Sequence, residues 1–135
     1  MEAYASCLCR EIEAAGKLYP DYEVRTVFFG GGTPSILEKE RICQIMEALR
    51  RAFCLAEDAE ITIEVNPGTV DTDKLAAYYA AGINRLSIGV QSLQENELQA
   101  LGRIHSTEDF FQTYSMAIKS GFNNINVDLM SAIPE

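Results

Sequence analysis

Residues 61–68 read ITIEVNPG, and the alternation within them decides the fold. In an extended chain Ile61, Ile63 and Val65 point to one face, and Thr62 and Glu64 to the other. Asn66-Pro67-Gly68 then closes the strand with a turn signal. The same two-sided pattern recurs downstream. Leu86, Ile88 and Val90 oppose Ser87, Gly89 and the following Gln91; Ile125, Val127 and Leu129 oppose Asn126 and Asp128. Upstream, Val24 to Phe29 reads as a strand that runs straight into Gly30-Gly31-Gly32-Thr33-Pro34. Strands covered by helices on both faces would be nearly continuous apolar runs. One apolar face and one small, polar face suit a barrel whose lumen holds a ligand.

Between the strands the spacing predicts helices. Ala3, Cys7, Leu8, Ile12 and Ala15 recur at helical intervals ahead of the turn at Pro20-Asp21. Leu37 to Phe53 reads as a helix, with Ile42, Ile45, Met46, Leu49 and Phe53 as its buried stripe. Asp71 to Ala81 reads as another, stopped by Gly82. A short helix falls around Glu95 to Leu101, and Ser106 caps one that runs to Ser120. Strand and helix in alternation mean parallel strands with crossover helices. That order fits an α/β barrel or an open doubly wound sheet. The strand faces favour the barrel, here partial, with about four βα units for a chain of 135 residues.

Composition narrows the class. The chain is one domain or part of one, and 47% of its residues are apolar, enough for a core. A net charge of −9 argues against unspecific nucleic-acid binding, which needs a basic face. The N-terminus is acidic and helical in pattern, unlike a signal peptide. No apolar run approaches the roughly 20 residues of a membrane span. The four cysteines, Cys7, Cys9, Cys43 and Cys54, are expected as reduced thiols, and the protein as soluble and cytoplasmic.

Polar residues cluster where strands end: Gly31, Gly32 and Thr33 after the first, Glu64 in the second, Gln91 after the third, Asp128 in the fourth. Ligands of parallel α/β folds bind along that edge. Loops begin there too, so one polar strand end means little; several in a row, with the inward parity above, predict a shared site. Three glycines let a ligand approach backbone N–H groups closely. A nucleotide-phosphate loop is the rival reading, but neither G-x-x-x-x-G-K-[ST] nor G-x-G-x-x-G is present.

Four stretches carry a family resemblance: VFFGGGTPSIL (27–37), ITIEVNPGTV (61–70), GINRLSIGVQSLQENELQALGRIHS (82–106) and GFNNINVDLMSAIP (121–134). Together they resemble the central barrel of oxygen-independent coproporphyrinogen III oxidases and their haem-chaperone-like relatives, a radical S-adenosylmethionine (SAM) group. SIGVQS and LGRIHS look more like the chaperone branch. The resemblance implies that Gly31, Gly32, Thr33, Glu64, Gln91, Arg103 and Asp128 bind SAM. A guanidinium suits the SAM carboxylate, and carboxylates and an amide suit its ribose hydroxyls and ammonium. It implies a parent that cleaves SAM reductively to a 5′-deoxyadenosyl radical. In the oxidase that radical starts decarboxylation of propionate side chains.

The family also holds a [4Fe–4S] cluster on a C-x-x-x-C-x-x-C loop, and that motif is not in this sequence. Cys7 and Cys9, two apart on a helix, point roughly 200° apart. All four cysteines read as small core or surface residues; no metal ligand and no catalytic residue is assigned. The resemblance implies that residues 1–135 form an incomplete barrel domain, without the first strand, its cluster loop and the C-terminal part. Tetrapyrrole, as coproporphyrinogen or haem, is a partner of the full-length parent, and exposed edge strands predict self-association. The alternative function is a non-catalytic haem- or nucleoside-binding α/β module; an unrelated phosphate-binding barrel is a third reading. His105 reads as structural, Tyr78-Tyr79 as packing residues rather than a tetrapyrrole platform, and Glu57, Asp58 and Glu60 as a solvated loop.

Overall fold

Alternating faces become four parallel strands: β1 (Glu23–Phe29), β2 (Cys54–Val65), β3 (Arg85–Gln91) and β4 (Ile125–Leu129). The computed structural model describes residues 2–133; Met1, Glu135 and Pro134, the last residue of the fourth motif, lie outside them. The helices are α1 (Glu2–Leu18), α2 (Lys39–Ala52), α3 (Thr72–Ala80), α4 (Glu95–Ala100) and α5 (Thr107–Lys119). Spatial strand order follows chain order, β1-β2-β3-β4. Parallel crossovers are right-handed, so an order that never reverses places every crossover helix on one face. That is a partial (β/α) barrel; a doubly wound sheet reverses its order.

The helix-side face carries Ile61, Ile63, Val65, Leu86, Ile88 and Val90, packed with Ile42 and Met46 of α2, Leu75 and Tyr78 of α3 and Ala117 of α5. On the other face the register lines up polar rungs: Thr62 beside Arg85, Glu64 beside Ser87, Ser87 beside Asn126, Gly89 beside Asp128. A one-residue slip in any pair would turn its polar set into the helix layer, so the apolar core pins the site's register.

Several local expectations are corrected. The buried side of α1 is Ala5, Cys9 and Gly16, with Leu8 and Ile12 partly covered; Ala3 and Cys7 are exposed. Small residues win that face because α1 and α2 pack backbone to backbone. A Cβ on Gly16 would stand 2.4 Å from the Ala52 carbonyl oxygen. Pro34 opens a single 3-10 turn, Pro34–Ile36, and α2 starts only at Lys39. Glu57, Asp58 and Glu60 are not in a loop but inside β2. The β1–β2 register passes from Val24–Leu55 to Thr26–Glu60, so β2 carries extra residues there and its acidic side chains stay exposed. Leu129, expected on the packed face, is 63% exposed because nothing among the described residues covers the end of β4.

Tyr78 is fully buried, and its hydroxyl has no partner among the described residues. Burial raises its phenol well above the ordinary tyrosine range, with the Cys43 and Asp71 charges adding to the effect. Tyr79 is half-exposed and meets Phe122 edge-on, ring centroids 5.4 Å apart. Both are packing residues. Tyr78→Phe removes an unpaired hydroxyl and is expected to stabilise the chain by about 1 kcal/mol in urea unfolding. A loss of that size instead would mean the hydroxyl has a partner in solution.

β1 and β4 are both edges of the described sheet. Phe28 on β1 is 60% exposed. Unpaired strand edges template further pairing, and a charge of −9 opposes it. Salt screens that repulsion over about 10 Å at 0.1 M. The chain is therefore expected to sediment as larger species at 0.3 M than at 0.02 M sodium chloride. A single monomer at both would refute edge pairing.

Candidate functional site

The strand ends at residues 29, 65, 91 and 129 bring their loops to one edge, and a polar cleft of about 260 Å³ opens there. Gly32, Thr33, Glu64, Gln91, Arg103 and Asp128 line it, with Pro34, Asn66, Ser87 and Gly89. Six of the seven residues expected from the sequence thus converge; the seventh, Gly31, sits at the rim and donates its N–H to Glu64 Oε2 at 3.2 Å.

The glycine turn works through backbone alone. Gly31 and Gly32 have φ of 81° and 61°, left-handed values that cost other residues about 1–2 kcal/mol. A Cβ built on either meets nothing within 4 Å. Conformation therefore demands glycine, and the space in front of the turn is open. Thr33 Oγ1 accepts from Asn66 Nδ2 at 3.1 Å, which ties this turn to the end of β2.

At the other end, Asp128 is held rather than free. Its Oδ2 accepts from Ser87 Oγ at 3.0 Å and its Oδ1 from Asn126 Nδ2 at 2.6 Å. Gln91 has a φ of 69°, a left-handed value for a non-glycine residue. Such strain persists only where neighbours over-determine it. Here the Gln91 carbonyl accepts from Met130 N at 2.8 Å, and His105 Nε2 meets the Val90 carbonyl at 3.2 Å. A carbonyl only accepts, so that ring nitrogen carries the proton. His105 is buried and braces the Arg103 loop against β3. Among the described residues Arg103 makes no salt bridge, while α5 starts with a Ser106–Asp109 capping box. Hydrogen bonds from the Ser106 N–H and hydroxyl hold the Asp109 carboxyl below its usual range.

Asn66, Ser87, Gly89 and Asn126 were not singled out from sequence. Their signal was inward parity on strands already assigned, together with the asparagine beside Glu64. A Cβ on Gly89 would stand 3.1 Å from both Asn66 Oδ1 and Gln91 Nε2, so these two side chains would have to shift to admit one.

The cysteines lie elsewhere. None lines the cleft. Cys9 Sγ reaches the Gln44 carbonyl and Cys43 Sγ the Ala77 carbonyl, and burial is the main cause that pushes both thiols up. Cys54 starts β2 at the opposite end from the cleft, level with Glu23 where Ile63 is level with Phe29, about 20 Å from Ile63 at the usual rise per strand residue. Among the described residues no three His, Cys, Asp or Glu side chains converge on a metal position. These residues do not fit a [4Fe–4S] cluster.

A helix-backed parallel sheet with a glycine turn and carboxylates at its C-terminal edge defines a partial α/β barrel domain with a polar cleft at its strand ends. The sequence profile described as the radical SAM superfamily matches residues 8–135, and the chain belongs to that family. It is 45% identical over 113 residues to the heme chaperone HemW of Escherichia coli K12, covering 84% of this chain and 30% of that protein. It is 43% identical over 132 residues to the mitochondrial radical S-adenosyl methionine domain-containing protein 1 of Bos taurus, covering 98% of this chain and 30% of the relative. The structure of the coproporphyrinogen III oxidase HemN from Escherichia coli superposes with a TM-score of 0.89 at 35% identity, covering 98% of this chain and 31% of that one. The chain is thus a radical SAM domain of the coproporphyrinogen oxidase and haem chaperone kind, spanning about a third of the length of these relatives. Among the described residues no helix is long and apolar enough to cross a membrane.

Proposed function

We propose that the cleft is the SAM-binding wall of a radical SAM protein of the haem chaperone branch. The observation that carries this is the convergence of Gly32, Thr33, Glu64, Gln91, Arg103 and Asp128 on one cleft, with Gly31 at its rim. The donor set fits SAM. Arg103, without an ion-pair partner among the described residues, suits the carboxylate in bidentate geometry. Left-handed glycines leave room for its amino-acid end, and Glu64, Gln91 and Asp128 offer acceptors to ammonium and ribose hydroxyls. When bound beside a reduced [4Fe–4S] cluster, SAM supplies radical chemistry; the cluster's ligands are not among these residues. The curated relatives named heme chaperone, among them those of Escherichia coli and Synechocystis at 45% and 42% identity, favour haem over coproporphyrinogen as the tetrapyrrole partner of the whole protein. In this reading strands outside residues 1–135 complete the barrel. A cytoplasmic setting belongs to it too, supported by four unpaired cysteines in a fold that uses none as a disulfide.

Calorimetric titration of the chain with SAM, adenosine and hemin tests this. Saturable SAM binding is expected, weakened at least tenfold by Glu64→Ala and by Arg103→Ala. Adenosine binding as tight as SAM would favour the nucleoside-binding module instead. No saturable SAM binding, or binding indifferent to both substitutions, overturns the assignment.

A further inference from the structure

Behind the glycine turn, Ser35, Thr69 and Lys74 form a buried or half-buried polar set that does not line the cleft and is tied to it through Asn66. Ser35 is fully buried in the 3-10 turn. Its Oγ accepts from the Asn66 N–H at 3.3 Å and lies 2.6 Å from Thr69 Oγ1. Thr69 Oγ1 in turn donates to the Asn66 carbonyl at 2.6 Å. A carbonyl oxygen only accepts, so the single Thr69 proton is committed to it, and the Ser35 proton must point to Thr69. The bonds therefore close into a ring of one sense: Asn66 N–H to Ser35, Ser35 to Thr69, Thr69 back to the Asn66 C=O. Bonds chained in one sense polarise and strengthen each other.

A fourth residue braces the ring. Lys74 Nζ donates to the Ser35 carbonyl at 2.5 Å and to the Thr69 carbonyl at 3.2 Å. Lys74 is half-buried on α3, whose N-cap, Asp71, accepts from the Lys74 N–H at 2.7 Å. Burial lowers its ammonium below the ordinary lysine range. A desolvated cation is costly unless its donors are used, and here they are used on two backbone carbonyls of two different loops.

The two loops joined are the ones that matter to the cleft. Gly32 and Thr33 lie three and two residues before Ser35, and Asn66 follows Glu64 by two residues while its side chain bonds Thr33. The geometry points to Ser35, Thr69 and Lys74 as positioning residues: their ring and its lysine brace hold the Gly31–Thr33 backbone at a set distance from Glu64, preorganised for the ligand. The role in ligand binding rests on the SAM reading above; the role in ordering the turn does not.

Thr69 gives the cleanest test because it is only partly buried. Thr69→Val keeps the shape and removes the hydroxyl; Thr69→Ser keeps the hydroxyl and removes the methyl. In the ligand-free chain, amide hydrogen exchange at Ile36, Leu37 and Asn66, whose N–H groups bond the Thr33 carbonyl, the Pro34 carbonyl and Ser35 Oγ, is expected to rise roughly tenfold in Thr69→Val, in keeping with one lost buried hydrogen bond, and to stay near wild type in Thr69→Ser. Lys74→Met is expected to loosen the same three amides while exchange in β3 stays unchanged. SAM affinity should follow the same order: Val and Met variants weakened roughly tenfold, the Ser variant restored. Equal exchange in the Val and Ser variants would overturn the ring. Altered exchange without altered SAM affinity would overturn its role in binding. A wild-type chain that does not bind SAM would sink the SAM reading while the exchange comparison still decided whether the ring orders the turn.

Discussion

Replacing Gly32 with valine is expected to weaken SAM binding by roughly thirtyfold or more while leaving the chain folded. Gly32 holds φ at 61°. A β-branched residue pays about 1–2 kcal/mol for that conformation, and its isopropyl group enters the space that the turn leaves open. Together these cost about 2 kcal/mol of affinity, which is the thirtyfold. The turn is exposed and lies outside the apolar core, so it can relax without disrupting the sheet. Gly32→Ala should fall between, since alanine meets the conformational penalty with less bulk. Calorimetry with SAM, run beside urea unfolding, separates the two effects. Wild-type affinity in the valine variant would show that the ligand does not approach this turn.

Ile63→Ala is expected to cost about 2–5 kcal/mol of stability, the range for truncating a buried isoleucine. Ile63 is fully buried near the C-terminal end of β2, paired with Phe29 on one side and Leu86 on the other. Against a usual total of about 5–15 kcal/mol, such a loss leaves a chain that unfolds at much lower urea. Leu129→Ala is the comparison. That side chain is exposed on the edge strand, and its truncation should change stability by about 0.5 kcal/mol at most. The measurement belongs at low salt, where charge keeps copies apart. Equal costs at the two positions would mean that copies pack over β4 in solution and bury Leu129. A small cost at both would mean the sheet's core lies elsewhere than the Ile63 layer.

Much of the architecture was legible along the chain because it is written in local stereochemistry. Side chains of an extended strand alternate whatever the rest of the protein does. ITIEV, RLSIGV and INVDL therefore announced an apolar and a polar face before any pairing was known, and with them the inward direction of Glu64, Ser87 and Asp128. Helix stops at Gly82 and the Ser106 cap were equally local, since capping involves residues a few positions apart. Parallel order followed from alternation of the two element types. Tertiary structure decided what depends on residues far apart. The buried side of α1 was set by how closely its backbone approaches Ala52, so small Ala5, Cys9 and Gly16 took the place expected for other residues. Glu57 and Asp58 fall within the span of β2, in the bulge between its two segments that pair with β1, although their charges read as loop. The ring of Ser35, Thr69 and Asn66 joins positions more than 30 residues apart, and Gln91 takes a left-handed backbone held by Met130. No local period records such contacts, because a hydrogen bond across the sheet constrains two distant residues and leaves the residues beside each of them free to vary.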